Sequence, residues 1–230
     1  MSIKKIYFAD KIRSFYKNMV VPSLPLDDVE VILAYAHDGS AKYADLFFNR
    51  FFSDTRDRVF VFGINPGRFG SGATYIPFTD PVALQSSCGI ANDLIKRKEI
   101  SSEFVYRFID HYGGPESLYR DFFLTAVSPI GFTRNGVNCN YYDDVRLFQL
   151  IKPFIIKTIE EQINCGARRD FAIVLGSGKN HRMFDELNSV HRWFKEVFVL
   201  EHPRFIMQYK RKEVEDYIKK YQEIFTRTLM

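Results

Sequence analysis

Four consecutive apolar residues, Val59-Phe60-Val61-Phe62, run directly into Gly63-Ile64-Asn65-Pro66-Gly67-Arg68-Phe69-Gly70. This junction constrains the fold more than any other stretch. A short apolar run bounded by turn residues reads as a strand buried on both faces, as in a parallel sheet covered by helices. Parallel neighbours are reached only through long crossovers, so helices must intervene. In open sheets of this kind, ligands bind in the crevice at the carboxyl ends of the strands. The loop continues to Ile76-Pro77-Phe78-Thr79-Asp80-Pro81. Its glycines allow close backbone approach to a ligand, and its prolines fix its course. The amide of Asn65 and the ring of Phe78 suit a planar polar ligand, one orienting a reactant and the other stacking on it.

Residues 122–127, 171–175 and 197–200 read as three further strands. The first fifty-odd residues read as helical: Val29, Ile32, Leu33 and Ala36 fall at helical spacing, as do Tyr43, Leu46, Phe47, Arg50 and Phe51. Helices are expected over 90–98 and over 103–111, the second capped by Ser101 or Ser102. Another is expected over 144–164, kinked or divided by Pro153. A helix follows Gly176-Ser177-Gly178 to about Val190. Val214, Tyr217, Ile218, Tyr221, Ile224 and Phe225 line one face of a closing helix. Residues 128–142 read as a polar loop. The alternation predicts one domain over 1–230, a three-layer α/β/α sandwich with a short central, mainly parallel four-stranded sheet. A common strand direction brings the loops at 63–81, 128–140 and 201–210 together.

At 46% hydrophobic and 16% aromatic, the 230 residues are those of a globular chain. A net charge of +4 permits an anionic partner without requiring one. Cys88, Cys139 and Cys165 are odd in number and widely spaced, which suggests neither a disulfide framework nor a Cys-x-x-Cys zinc site. The N-terminal stretch to Ala9 lacks the apolar centre of a signal peptide. No window approaches the ~20 apolar residues of a membrane span. The expectation is a cytoplasmic protein that is not secreted, associates with no membrane, and lies near the nucleoid if bacterial.

The loop holding Asn65 and Phe78 resembles the first motif of the uracil-DNA glycosylase superfamily. Within it, the loop is similar to that of the single-strand-selective monofunctional branch, Gly-Met-Asn-Pro-Gly-Pro-Phe-Gly followed by Gly-Val-Pro-Phe-Gly. The spacing from Asn65 to Phe78 matches without a gap. Glu201-His202-Pro203-Arg204, after the last predicted strand, resembles the second motif, a His-Pro. The resemblance implies a monofunctional glycosylase that hydrolyses the N-glycosidic bond of uracil in DNA, with other deaminated bases as further candidates. It implies DNA containing such bases as the partner, a monomer, and neither metal nor cofactor. The three cysteines fall short of the four-cysteine iron–sulfur set of some other branches. By the same resemblance, Asn65 positions water and His202 hydrogen-bonds the base's O2 as charge develops there. Phe78 stacks on the flipped base, and Gly63, Ile64 and Gly67 line the base pocket; Tyr75, which departs from the family pattern, is expected to narrow it or to take part of the stacking.

The chain also departs from the family pattern. The family continues His-Pro-Ser-Pro, whereas here Arg204-Phe205-Ile206-Met207-Gln208-Tyr209-Lys210-Arg211-Lys212 follows. Phe205, Ile206 and Met207 are apolar candidates for a wedge that fills the hole of a flipped base, and Gln208 is a polar one. Arg204, Lys210, Arg211 and Lys212 are candidate phosphate contacts. The competing use of this segment is to pack the last helix and start it in solvent. Ser177 and Lys179 stand at a helix start that can hold one phosphate, although Ile173 and Asn180 break the Walker pattern. The family's base-reading Asn falls on Ala126, which leaves Ser128, or Asn135, Asn138 or Asn140 from the loop, as substitutes. Tyr75 stands where the compared branch has glycine. Two other function classes stay open: a non-catalytic nucleic-acid binder that keeps the pocket, and a nucleotide-binding enzyme built on residues 176–179.

Overall fold

The computed structural model describes residues 5–33, 35 and 41–230. In chain order the elements are α1 (Phe8–Asn18), β1 (Val29–Ile32), α2 (Lys42–Phe51), β2 (Arg58–Gly63), α3 (Ser71–Thr74), α4 (Pro81–Ser86), α5 (Ile100–His111) and α6 (Pro115–Asp121). Then come β3 (Phe122–Ala126), β4 (Gly131–Arg134), β5 (Val137–Cys139), α7 (Val145–Asn164), β6 (Ala167–Leu175), α8 (Lys179–His191), β7 (Glu196–Leu200), α9 (Pro203–Tyr209) and α10 (Val214–Arg227).

The expected sandwich is present. Four parallel strands lie in the order β3-β2-β6-β7, with β2 buried along its whole length. Successive strand residues point to opposite faces, and the aromatic residues show what covers each. Phe123 meets Phe8 of α1 at 5.3 Å between ring centroids, while its neighbour Phe122 meets Phe225 of α10 at 4.6 Å. On the α1 side, Phe62 reaches Phe184 of α8 at 4.9 Å. Arg58 starts β2 without any exposure, and each of its three guanidinium nitrogens finds an acceptor. Its guanidinium donates to Tyr119 O at 2.9 Å, Arg56 O at 3.0 Å and the Asp54 carboxylate at 2.9 Å, and stacks on Phe8 and Phe52.

Several elements differ from expectation. Val29 to Ile32 form a strand, not a helix, because β4 offers them an antiparallel edge; Ala36 lies outside the described residues. Residues 128–142 are not all loop. They contain the β4–β5 hairpin, turned by Asn135 and Gly136 with φ of 49° and 73°, the left-handed pair that a two-residue hairpin needs. β1, β4 and β5 form a second, antiparallel sheet. Residues 90–98 are not helical. Asn92 donates to Pro81 O and Ile90 O, and Asp93 accepts from Tyr43 Oη and Lys42 Nζ, so these side chains compete for a helical course. Glu99, not Ser101 or Ser102, caps α5, accepting from Ser102 N at 3.2 Å. α7 continues through Pro153 without dividing.

Candidate active site

The four parallel strands end on one side, and a cavity of about 920 Å³ opens there. The three loops expected to meet do line it together, joined by residues 176–180 after β6. Hydrogen bonds and close packing then set each side chain.

Asn65 is held at both ends of its amide. Its Oδ1 accepts from Tyr141 N at 3.1 Å, and its Nδ2 donates to Cys139 O and Pro66 O, both at 3.3 Å. A backbone N–H only donates and a carbonyl only accepts, so the orientation of the amide is fixed by chemistry. One lone pair of Oδ1 stays free for a further donor. The holding strand is β5, part of the hairpin that reads as loop in the sequence. β4 approaches because residue 131 is glycine: a Cβ there would stand 2.0 Å from Pro66 O.

His202 caps α9, its Nδ1 accepting from Arg204 N at 3.2 Å. The proton of the neutral ring therefore sits on Nε2, which is left as a donor. The ring meets solvent only in part, deep among protein atoms. Burial pulls its pKa down from 6.5 to about 4, helped by the like charge of Arg204. His202 is thus an uncharged donor at neutral pH.

Phe78 lies beside His202, ring centroids 5.8 Å apart. Its ring also covers the end of β2: a Cβ on Gly63 would stand 2.5 Å from Phe78 Cζ, so only glycine fits beneath it. Phe78 and Tyr75 both adopt left-handed backbone, φ 56° and 60°. Aromatic residues hold that conformation only where surroundings impose it. Here Thr74 Oγ1 donates to Thr79 O at 2.6 Å, Phe78 N donates to Ser71 Oγ, and Asp80 caps α4 while accepting from Glu99 N at 2.8 Å. Tyr75, Ile64 and Gly67 line the cavity with them.

Other expected residues divide. Ser177, Lys179, Arg204, Phe205 and Gln208 line the cavity. Ser128 does not: it is fully buried and its hydroxyl donates to Ile130 O at 2.7 Å, so it cannot read a base. Asn138 and Asn140 do line the cavity, beside Ala126; Asn135 is at the hairpin turn. Met207, 5% exposed, packs in the core and is no wedge, and Ile206 is buried with it. Lys210 is bound to Glu213 and Arg211 to Glu103, each at 3.0 Å, away from the cavity lining. On α9 the exposed apolar surface belongs to Phe205 and to Tyr209, whose rings lie 5.5 Å apart.

The cavity's cations are mostly ones that sequence reasoning missed. Arg68, Arg97, Lys98, Lys179 and Arg204 line it against one carboxylate, Glu99, and none of the five forms an ion pair among the described residues. The guanidiniums of Arg97 and Arg68 lie over the ring of Phe69 at 3.5 and 5.1 Å. Arg97 and Lys98 arrive on the irregular 90–98 segment, and no periodicity points to them. Tyr209 was discoverable, four positions after Phe205 on the same helix face. The Asn135-Gly136 pair was also a signal for the hairpin.

Residues 50–226 match the model of the family described as uracil DNA glycosylase superfamily. Among solved structures, the chain is similar to the crystal structure of wild-type SMUG2 from Pedobacter heparinus. That match has a TM-score of 0.93 and 37% sequence identity, and covers 97% of this chain and 99% of that one. No curated protein matches.

Proposed function

The chain belongs to the uracil DNA glycosylase superfamily, and from that premise we propose that it is a monofunctional DNA glycosylase that hydrolyses the N-glycosidic bond of uracil and begins base excision repair. One observation carries the reading: an immobilised amide and a neutral imidazole donor face the same cavity, with an aromatic ring beside them. Two further amides of the pocket, Asn138 and Asn140, leave room for other deaminated bases.

The chemistry follows from these groups. A base extruded from DNA stacks on Phe78. Water accepted by the free lone pair of Asn65 Oδ1 is held toward C1′ of the sugar. As the C1′–N bond breaks, its electron pair leaves with the base and the sugar develops positive charge. Charge on the base's O2 meets the Nε2–H of His202, a donor already in place. Water oxygen bonds to C1′, its proton passes to solvent, and the departed base takes a proton from solvent. The products are free base and an abasic site. A weak base suffices at Asn65 because placement, not basicity, carries the step. The cationic rim supplies phosphate contacts and the exposed pair Phe205 and Tyr209 the apolar wedge.

The test incubates the protein with oligonucleotides carrying uracil, hypoxanthine, xanthine or a thymine mispair, with and without chelator, and then reveals abasic sites with alkali. Scission of the uracil strand only after alkali, insensitive to chelator, is expected. Binding to all of these oligonucleotides without an abasic site from any would replace the enzyme with a non-catalytic binder.

A further inference from the structure

The broken Walker stretch ends in Asn180, which the chemistry above does not use. Asn180 is 1% exposed at the start of α8, and both ends of its amide are engaged. Nδ2 donates to Leu175 O at the end of β6, 2.9 Å away, and to Gly63 O at the end of β2, 3.4 Å away. Oδ1 accepts from the hydroxyl of Tyr141 at 2.9 Å. Tyr141 has no exposure, and its backbone N–H is the one that holds Asn65 Oδ1.

Packing alone does not explain this pair. A phenylalanine fills the volume of a buried tyrosine without a hydroxyl to satisfy, and a leucine fills that of asparagine without two donors and an acceptor. A buried polar group left bare costs more than its bond contributes, so such a pair is a liability unless its geometry is used. The geometry here joins three places that the fold brings together separately: the end of β2 that carries Asn65, the end of β6, and the exit of the hairpin.

We propose that Asn180 and Tyr141 are positioning residues for the water-holding amide. Asn180 reads the two strand ends through their carbonyls and fixes the Tyr141 ring relative to them. The ring fixes its own backbone N–H, and that N–H sets the direction of Asn65 Oδ1. The inference rests on the glycosylase reading for its consequence in catalysis, and on the hydrogen bonds alone for the linkage.

The experiment compares the parent with Tyr141→Phe, Asn180→Leu, Asn65→Ala and the two double variants, all in the full chain. Single-turnover cleavage of a uracil oligonucleotide is measured beside affinity for an oligonucleotide with a tetrahydrofuran abasic analogue. Thermal melting establishes that each variant is folded at the assay temperature. Each positioning variant is expected to cleave roughly ten-fold or more slowly, since small misplacement costs up to ~100-fold. Affinity for the analogue should hold within about two-fold, a bound drawn from the additivity error of independent sites. In the Asn65→Ala background, Tyr141→Phe and Asn180→Leu should cause no further loss, because the group they position is gone. A residue that merely supports the fold would add its loss in both backgrounds, and that additivity would overturn the proposal. Hydrogen exchange at the Tyr141 amide gives a second measurement independent of turnover: Asn180→Leu should accelerate it, and unchanged protection would sink the linkage. If the parent cleaves no substrate, the glycosylase reading fails, and the exchange result still decides whether Asn180 holds Tyr141.

Discussion

The state of His202 makes a prediction that separates it from an ordinary histidine. Its neutral form is favoured down to about pH 4, below the usual 6.5. Cleavage should therefore show no step near pH 6.5 from this group, and should fall only as pH drops through about 4. For stability the sign follows from proton counting. Between 6.5 and 4 the unfolded chain binds a proton that the folded chain refuses. The contribution of this group is fully present above 6.5 and declines as pH falls toward 4. A pH profile of single-turnover rate beside one of melting temperature checks both: a rate that falls as pH drops through 6.5 would show that burial does not hold the pKa of His202 down, and one that rises there would show the charged form acting. Asn65→Ala should lower the single-turnover rate by ~10²–10³, the usual loss of one preorganised transition-state contact, with DNA affinity little changed. Asn65, Phe78 and His202 could be read from sequence because each lies in a contiguous stretch at a strand end. Ser128 could not be excluded there, since its bond to Ile130 O depends on how the chain turns after β3.

At the scale of elements, α9 shows how one helix serves two purposes. Its inner face, Ile206 and Met207, belongs to the core, and its outer face, Phe205 and Tyr209, stands exposed at the cavity. Met207→Ala should destabilise by ~2–5 kcal/mol, as truncation of a large buried side chain does. Phe205→Ala, at 43% exposure, should leave melting nearly unchanged and slow excision from paired DNA more than from single strands, where the base costs less to extrude. Equal loss on both DNA forms would remove Phe205 from the wedge. The strands of the main sheet were legible because a doubly covered strand has a distinctive apolar run. β1 was not, because four residues with Val29, Val31 and Ile32 satisfy helical spacing as well as alternation, and only the edge offered by β4 decides. The segment 90–98 failed for the opposite reason: its spacing is helical, but its side chains bind the backbone and Tyr43 instead.

For the whole molecule, charge is organised by the fold and not by the sequence. Lys210 and Arg211 stand together in the chain and look like a clamp, yet both are neutralised locally. Arg68, the pair Arg97 and Lys98, Lys179 and Arg204 are dispersed in the chain and gather at the cavity. Arg97→Ala with Lys98→Ala should weaken binding to every duplex sequence alike. The slope of log affinity against log salt should become shallower by ~0.9 for each lost phosphate contact. Lys210→Ala with Arg211→Ala should leave that slope unchanged. The reverse result would place the DNA on the other side of α9. The sandwich itself was legible from the alternation of strands and helices. The second sheet was not, since its hairpin is short and its partner strand lies a hundred residues earlier.

That second sheet has a consequence for how the protein fails. The amide of Asn65 is held by Tyr141 N and Cys139 O, which belong to the β5 hairpin and its exit, not to the parallel sheet that carries Asn65 itself. Three short strands with an exposed tip at Val137 form a unit that can open while the main sheet stays intact. Inactivation should then come before denaturation. In a urea titration, cleavage activity should disappear at lower concentration than the far-ultraviolet circular dichroism signal, and amides of β4 and β5 should exchange hydrogen faster than those of β2 and β6. Coincident loss of activity and dichroism would mean that the hairpin and the main sheet melt as one. If the two part, the chain passes through a state that is folded and inert, with its water-holding side chain released before its sandwich is.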